Sequence, residues 1–223
     1  MTAVWGPLGW MTLHSISTSY PEAPTIAEKQ LVSSWLDMFR DTITCPHCRE
    51  HFTEILANSR RVFPNFLNSR QDFAVFVFRI HNAVNRRLRK PIYESVASCM
   101  ERLQENVKLR RAKEYRTAYL DHIARFWRTL QDISGMISLK KVNEMRRIEI
   151  EYFSVKDTNF AVTIAEDIVV VPRGVLEKDA PDSVPRVSAP RALPRPPAVP
   201  DRTPSRMPMG VGFKMTAGGL RLR

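Results

Sequence analysis

A mainly α protein is predicted from three observations. Apolar residues recur at helical spacing through most of positions 1–147, and helix-opening signatures stand at Thr25-x-x-Glu28, Thr44-Cys45-Pro46 and Ser69-x-x-Asp72. Most of the 16 prolines fall from Pro172 onwards among Arg, Ser and Ala, where no core can form. The division that follows is a helical domain at 1–99, a basic helical extension with a small β element at 100–171, and a basic Pro-rich tail at 172–223, extended or ordered only by a partner.

Composition excludes more than it assigns. With 43% hydrophobic residues over 223 positions a packed core can form. The net charge of +11 and pI near 10.0 attract nucleic acid, anionic lipid and acidic protein alike, so basic charge by itself defines no function. Three cysteines are too few for a disulfide-stapled secreted scaffold. The stretch Met1–Pro7 lacks the plan of a signal peptide, and no run of 18 apolar residues occurs. The chain is therefore expected to be soluble and made in the cytosol, where a Cys-x-x-Cys pair is more often catalytic or metal-binding than structural.

The elements follow in order. Gly9 to Tyr20 reads as a short helix with Trp10, Leu13, Ile16 and Ser17 on one side and His14 one turn beyond Trp10, ended by Pro21 and Pro24. A core tryptophan beside a satisfied histidine is the plain reading of that pair. The Thr25/Glu28 capping box opens a second helix whose stripe Ile26, Leu31, Trp35, Leu36 and Phe39 is expected in the core. Thr44 is the expected cap of a third helix, with Pro46 in its first turn and Phe52, Ile55 and Leu56 on its buried face. Cys45 then lies at the lip of that helix and Cys48 about one turn in. A helix N-terminus stabilises a thiolate there. On these residues alone a redox disulfide, half of a zinc site and a pair of buried thiols all remain open.

Ser69 opens a fourth helix, apolar through Phe73, Val75, Phe76, Val77, Phe78 and Ile80, which then turns polar at His81, Asn82 and Asn85. Those three share one side, and a polar ligand or solvent would satisfy them. From Tyr93 to about Arg147 the pattern stays helical and basic, with a break expected at Gly135. Ile148 to Phe153 alternates like a strand, and 161–164 and 168–171 are short β-prone runs, so a small hairpin or sheet is expected.

Taken together, Trp10-x-x-x-His14, Cys45-x-x-Cys48 and His81-Asn82-x-x-Asn85-x-x-Leu88-x-Lys90-Pro91 resemble the fingerprint of the flavin-linked sulfhydryl oxidases of the Erv/ALR family. The resemblance implies an Erv/ALR-type four-helix bundle plus a short fifth helix, with FAD in the mouth of the bundle. It places Trp10 and His14 against the flavin and adenine, with Tyr20 nearby. His81, Asn82 and Asn85 would line the nucleotide pocket, and Arg86, Arg89 and Lys90 would meet the phosphates. Cys45 would be the outer catalytic cysteine and Cys48 the one beside the ring. Thiol-containing protein substrates would reduce that disulfide, and FAD would pass the electrons to O2, giving H2O2.

Family members are commonly homodimers, and the same is expected here. Two departures stand out: a second structural disulfide and a distal shuttle pair are missing, and only Cys99 remains. Either substrates reach Cys45 directly, or Cys99 pairs across a dimer, or Cys99 is a small buried hydrophobe, the preferred reading. This plan resembles versions encoded by large cytoplasmic DNA viruses, which implies the host cytoplasm, at virus factories, and the virion as locations. The competing reading is a basic structural or nucleic-acid-binding virion protein, its tail contacting genome or capsid. Its CxxC would then be inert, or would hold zinc with His51 and either His47 or Cys99.

Overall fold

Residues 2–109 and 111–156 are described by a computed structural model. Helices α1 (Thr2–Thr18), α2 (Ile26–Asp41), α3 (Pro46–Val62), α4 (Arg70–Arg87), α5 (Val96–Leu109), α6 (Ala112–Thr129) and α7 (Ile133–Ile148), with a π-helix at Glu149–Phe153, are its elements, and no strand occurs among the described residues.

Helix α1 is the axis. Every residue from Met11 to Tyr20 is buried, and both α4 and α6 pack along it. A helix carrying Thr12, His14, Ser15, Ser17 and Thr18 tolerates this because its hydroxyls donate back into its own turns. Ser15 Oγ donates to Thr12 O, and Ser17 Oγ and Thr18 Oγ1 both donate to His14 O, each at 2.9 Å. The helix starts at Thr2, earlier than Gly9, with Pro7 inside it.

Helix α2 opens on the complete Thr25/Glu28 capping box, and α4 opens on Ser69, whose side chain accepts from Asp72 N–H. Val32, Trp35, Leu36 and Phe39 carry the buried face of α2. Ile26 was expected in that stripe but is 76% exposed, because the first residue of the helix stands clear of the core. Helices α3 and α4 pack on one another, and α7 covers α2. One core runs through all of these: Leu13, Ile16, Trp35 and Phe39 share it with Tyr119, Ile123 and Trp127 of α6 and with Val142 and Met145 of α7. Each fully buried Leu, Ile or Phe in it contributes about 1.5–3 kcal/mol. A second cluster joins Val75 and Phe78 of α4 to Val96, Cys99, Met100 and Leu103 of α5.

Two expectations about the extension are corrected. Ile148 to Phe153 is helical, not a strand. Ile150 is 64% exposed while Glu149 turns inward to Arg116 (2.8 Å), and Phe153 packs edge-on against Trp35. The break in the long basic run lies at Leu130–Asp132 rather than at Gly135. Asp132 caps α7 by accepting from Gly135 N–H, and Gly135 is buried so close to Leu130 that a Cβ would meet Leu130 O at 2.4 Å. The β-prone runs at 161–164 and 168–171 and the tail at 172–223 lie outside the described residues. No helix among the described residues is long and apolar enough to cross a membrane.

Candidate active site

The α2–α3 connection delivers the cysteines. Ile43 is buried, and Trp127 Nε1 of α6 donates to Thr42 O (3.0 Å), which fixes the segment just before Cys45. Cys45, not Thr44, is the N-cap of α3. Its backbone is extended (φ −91°, ψ 113°), Pro46 takes the first helical position, and Cys48 N–H donates to Cys45 Sγ (3.2 Å). Sulfur thus occupies the place usually held by a serine or aspartate oxygen, facing the unpaired N–H groups of the first turn. Cys45 and Cys48 are joined as a disulfide. Both cysteines are half-buried; Cys48 packs against the core, and Pro46 and His47 between them are exposed.

Behind the disulfide runs an unbroken set of ring contacts. Phe52, one turn after Cys48, meets Trp10 edge-on with centroids 6.2 Å apart. Trp10 stacks on His81 at 4.0 Å and 11°. His14 Nε2 lies 3.0 Å from His81 Nδ1, and Cys99 Sγ lies 3.9 Å from His14 Nε2. Tyr93 closes the far side, edge-on to His81 at 5.4 Å. Four helices supply the group: α1 gives Trp10 and His14, α3 gives Phe52, α4 gives His81 and α5 gives Cys99, with Tyr93 from the connection before α5.

Burial sets the charge here. It lowers the pKa of His14 to about 3. His81 is also held well below the ordinary imidazole range, by burial first and then by its neighbours His14 and Lys90. Both rings are neutral at pH 7, so one donates to the other. His14 Nδ1 is buried with no partner, a polar atom that a ligand's heteroatom could satisfy.

The end of α4 shapes the basic rim. Arg89 N–H donates to Arg86 O (3.1 Å) and Lys90 N–H to Asn85 O (2.8 Å), the two bonds of a Schellman closure. Arg89 holds the left-handed conformation that such a closure requires (φ 53°), where glycine would be the usual choice. That costs about 1 kcal/mol for a residue with a Cβ. Arg86 is half-buried, and Arg89 and Lys90 are exposed. Asn85 is buried beside them.

Two predicted site residues are placed differently. Tyr20 lies apart from the group, at the far end of α1. Its ring packs edge-on against Phe73 and its hydroxyl donates to Leu67 O (3.1 Å), so the structure gives it a core role. Asn82 spends both ends of its amide on the backbone of Tyr93, donating to its carbonyl (2.9 Å) and accepting its N–H (3.0 Å). It positions the Tyr93 ring against His81. Sequence reasoning missed Phe52, Tyr93 and Cys99 as parts of this group. Phe52 could have been found one turn beyond Cys48; Cys99 carries no signal.

The zinc alternative fares poorly, since cysteines joined to one another offer no thiolates. The donor atoms of His14, His81 and Cys99 lie within 4.8 Å of one another, and burial pushes the Cys99 thiol up to about 12. Cys99 is buried and free, so it is also out of reach of a partner's cysteine.

Fold and site together define an α-helical protein with a disulfide at a helix N-terminus, backed by stacked aromatic rings and a neutral histidine pair. The Erv1 / Alr family profile matches residues 8–108, which hold this entire constellation. A protein of African swine fever virus (isolate Pig/Kenya/KEN-50/1950) named "FAD-linked sulfhydryl oxidase" is 35% identical over 88 residues, covering 40% of this chain and 71% of that protein. A protein of Invertebrate iridescent virus 6 is 34% identical over 98 residues, 42% of this chain and 88% of its own length. "Mitochondrial FAD-linked sulfhydryl oxidase ERV1" of Saccharomyces cerevisiae is 32% identical over 90 residues, 40% of this chain and 45% of its own length. The chain belongs to the Erv1 / Alr family. No solved structure matches it significantly.

Proposed function

We propose that this chain is an FAD-dependent thiol oxidase in which Cys45 and Cys48 form the disulfide that substrate thiols reduce. The observation that carries the reading is the placement of that disulfide: Cys45 caps α3, while Cys48 packs against the core, one turn from the Phe52–Trp10–His81 stack.

The residues present fit FAD. A planar ring system finds the indole of Trp10 and the two neutral imidazoles, the orphaned His14 Nδ1 offers a ring nitrogen, and Arg86, Arg89 and Lys90 gather at one helix end for phosphates. Bound there, FAD would take the electron pair from the reduced cysteines and hand it to dioxygen, giving hydrogen peroxide.

The chain's own chemistry is thiol–disulfide exchange. A substrate thiolate attacks Cys45 Sγ, the Cys45–Cys48 bond breaks, and Cys48 leaves as a thiolate. A second substrate thiolate then attacks the substrate sulfur of the mixed disulfide and expels Cys45 as a thiolate. The substrate gains a disulfide, two electrons remain on Cys45 and Cys48 as thiolates, and the two protons have left with ionisation of the substrate thiols to solvent. The N-terminus of α3 favours both departures, by about 0.3–1 kcal/mol for an exposed anion and up to about 2 kcal/mol for a half-buried one.

The viral relatives and the missing shuttle pair support protein substrates made in the host cytoplasm at virus factories, with the enzyme carried into the virion. The basic carboxyl-terminal region would contact nucleic acid or capsid there. A homodimer through helical faces belongs to the same proposal, with the basic region after Cys99 extending or replacing that interface. Peroxide release by FAD-loaded full-length protein with dithiothreitol tests the function. Cys45→Ser and Cys48→Ser are each expected to abolish it; wild-type turnover in both would refute the route.

A further inference from the structure

Large apolar side chains stand exposed at the α6–α7 corner, where neither the core nor the proposed cofactor site uses them. Leu130, Ile133, Met136 and Ile137 are 38%, 77%, 70% and 53% exposed. The last three share a face of the first turns of α7, and the buried contact of Gly135 with Leu130 folds that turn back on the end of α6. Three large apolar side chains thus adjoin on that face, and Leu130 is exposed at the end of α6.

This corner flanks the disulfide. Trp127, one turn before Leu130, donates to Thr42 O (3.0 Å), and the Arg49 guanidinium lies 6.0 Å from its ring centroid. Lys141, one turn after Ile137, pairs with Asp41 (2.6 Å). Arg49 N–H in turn donates to Cys45 O (2.9 Å). Asp41 and Thr42, four and three positions before Cys45, are thus held by α7 and α6. Basic side chains outnumber acidic ones near this corner: Arg125, Arg128 and Lys140 are exposed on α6 and α7, with Arg49 on the Cys45 side. The adjacent carboxylate, Asp132, is engaged in capping Gly135 N–H (2.6 Å).

We infer that the α6–α7 corner is the docking surface for the substrate polypeptide, receiving an extended cysteine-bearing segment whose apolar residues cover Leu130, Ile133, Met136 and Ile137 and whose acidic residues face Arg125, Arg128 and Lys140. The inference rests on the oxidase reading and extends it to substrate choice. Charge complementarity selects the occupant, and continuity with Cys45 supplies the reason: a chain laid across this corner brings its own thiol to Cys45. The extension then does for this chain what a shuttle pair would otherwise do, bringing bulky substrates to the disulfide.

The test uses the FAD-loaded full-length protein with three reductants: dithiothreitol, a dithiol peptide flanked by Leu, Phe, Asp and Glu, and a control peptide flanked by Ser, Gln and Lys. The doubly substituted Ile133→Ser/Ile137→Ser protein is expected to raise KM for the acidic-apolar peptide about tenfold, the equivalent of about 1.4 kcal/mol. Its kcat, and its turnover of dithiothreitol and the control peptide, are expected to stay unchanged. Arg128→Gln is expected to raise the same KM and to weaken its dependence on salt. An unchanged KM, an equal loss with dithiothreitol, or conversion of a dimer to a monomer by the double substitution would each overturn the inference, the last by assigning the patch to a second copy. Failure of the wild-type protein to oxidise dithiothreitol would instead remove the oxidase reading, and this inference with it.

Discussion

His14 Nε2 and His81 Nδ1 meet at 3.0 Å across 67 residues of sequence, joining α1 to α4 through two imidazoles that are both buried and both neutral. The contact ties the stability of the bundle to pH. The ordinary imidazole pKa of 6.5 falls to about 3 for His14 on folding, so between those values the unfolded chain binds the proton and the folded chain does not. Stability is full above 6.5 and is lost as pH falls towards 3, at about 1.4 kcal/mol per pH unit for each such group. His81 acts with the same sign. Urea midpoints should fall between pH 6.5 and 5, a window above the carboxylate range, and His14→Gln should flatten that slope. Midpoints that do not move over the window would refute the neutral pair.

Arg116 and Glu149 form another buried polar contact that crosses the bundle. They are paired at 2.8 Å with side chains 2% and 5% exposed, and Arg116 also reaches Ser15 Oγ and Phe153 O, both at 3.4 Å. Burial raises the Glu149 carboxyl against the opposing pull of Arg116. Removing one partner strands the other, so Arg116→Ala should cost about 3–5 kcal/mol, while Arg116→Met combined with Glu149→Leu should recover most of it. Chemical denaturation of the three proteins measures this.

Asn82→Ala removes two hydrogen bonds to the Tyr93 backbone and frees the ring that closes on His81. The expected cost is about 1–3 kcal/mol in stability. Flavin retained through gel filtration should also drop, with the Cys45–Cys48 disulfide still formed. Wild-type flavin content would show that Tyr93 needs no such anchor.

Gly135→Ala places a Cβ 2.4 Å from Leu130 O and 2.9 Å from Leu130 Cβ, against backbone that cannot swing away. The corner between α6 and α7 must open, and destabilisation of about 1–3 kcal/mol is expected in thermal melts. An unchanged melting temperature would contradict the close approach.

Helices with local signatures were legible in the sequence. Thr25 with Glu28, Ser69 with Asp72, and Pro46 each mark a start, and the Trp10, His14, Cys45, Cys48 and His81 set could be read from spacing and resemblance. Features decided by tertiary contact were not. Five polar side chains on α1, Thr12, His14, Ser15, Ser17 and Thr18, are buried where α4 and α6 pack along the helix, and the Ser15, Ser17 and Thr18 hydroxyls turn back into it. Ile148 to Phe153 alternates apolar and acidic residues as a strand would, and only the buried Arg116, 33 positions earlier in the chain, explains why Glu149 points inward. The bond from the Tyr20 hydroxyl to Leu67 O could not be read from the sequence, because the two lie 47 residues apart. Asn82 reads as a pocket liner until the chain after Pro91 returns to meet it.

Anaerobic addition of one equivalent of a dithiol to the FAD-loaded protein, followed through the flavin absorbance, tests most directly whether Cys45 and Cys48 carry electrons to the cofactor. The wild-type protein should bleach, whereas Cys48→Ser and Cys45→Ser should keep their bound flavin and stay yellow. Bleaching of the Cys48→Ser protein at the wild-type rate would contradict a route through this disulfide.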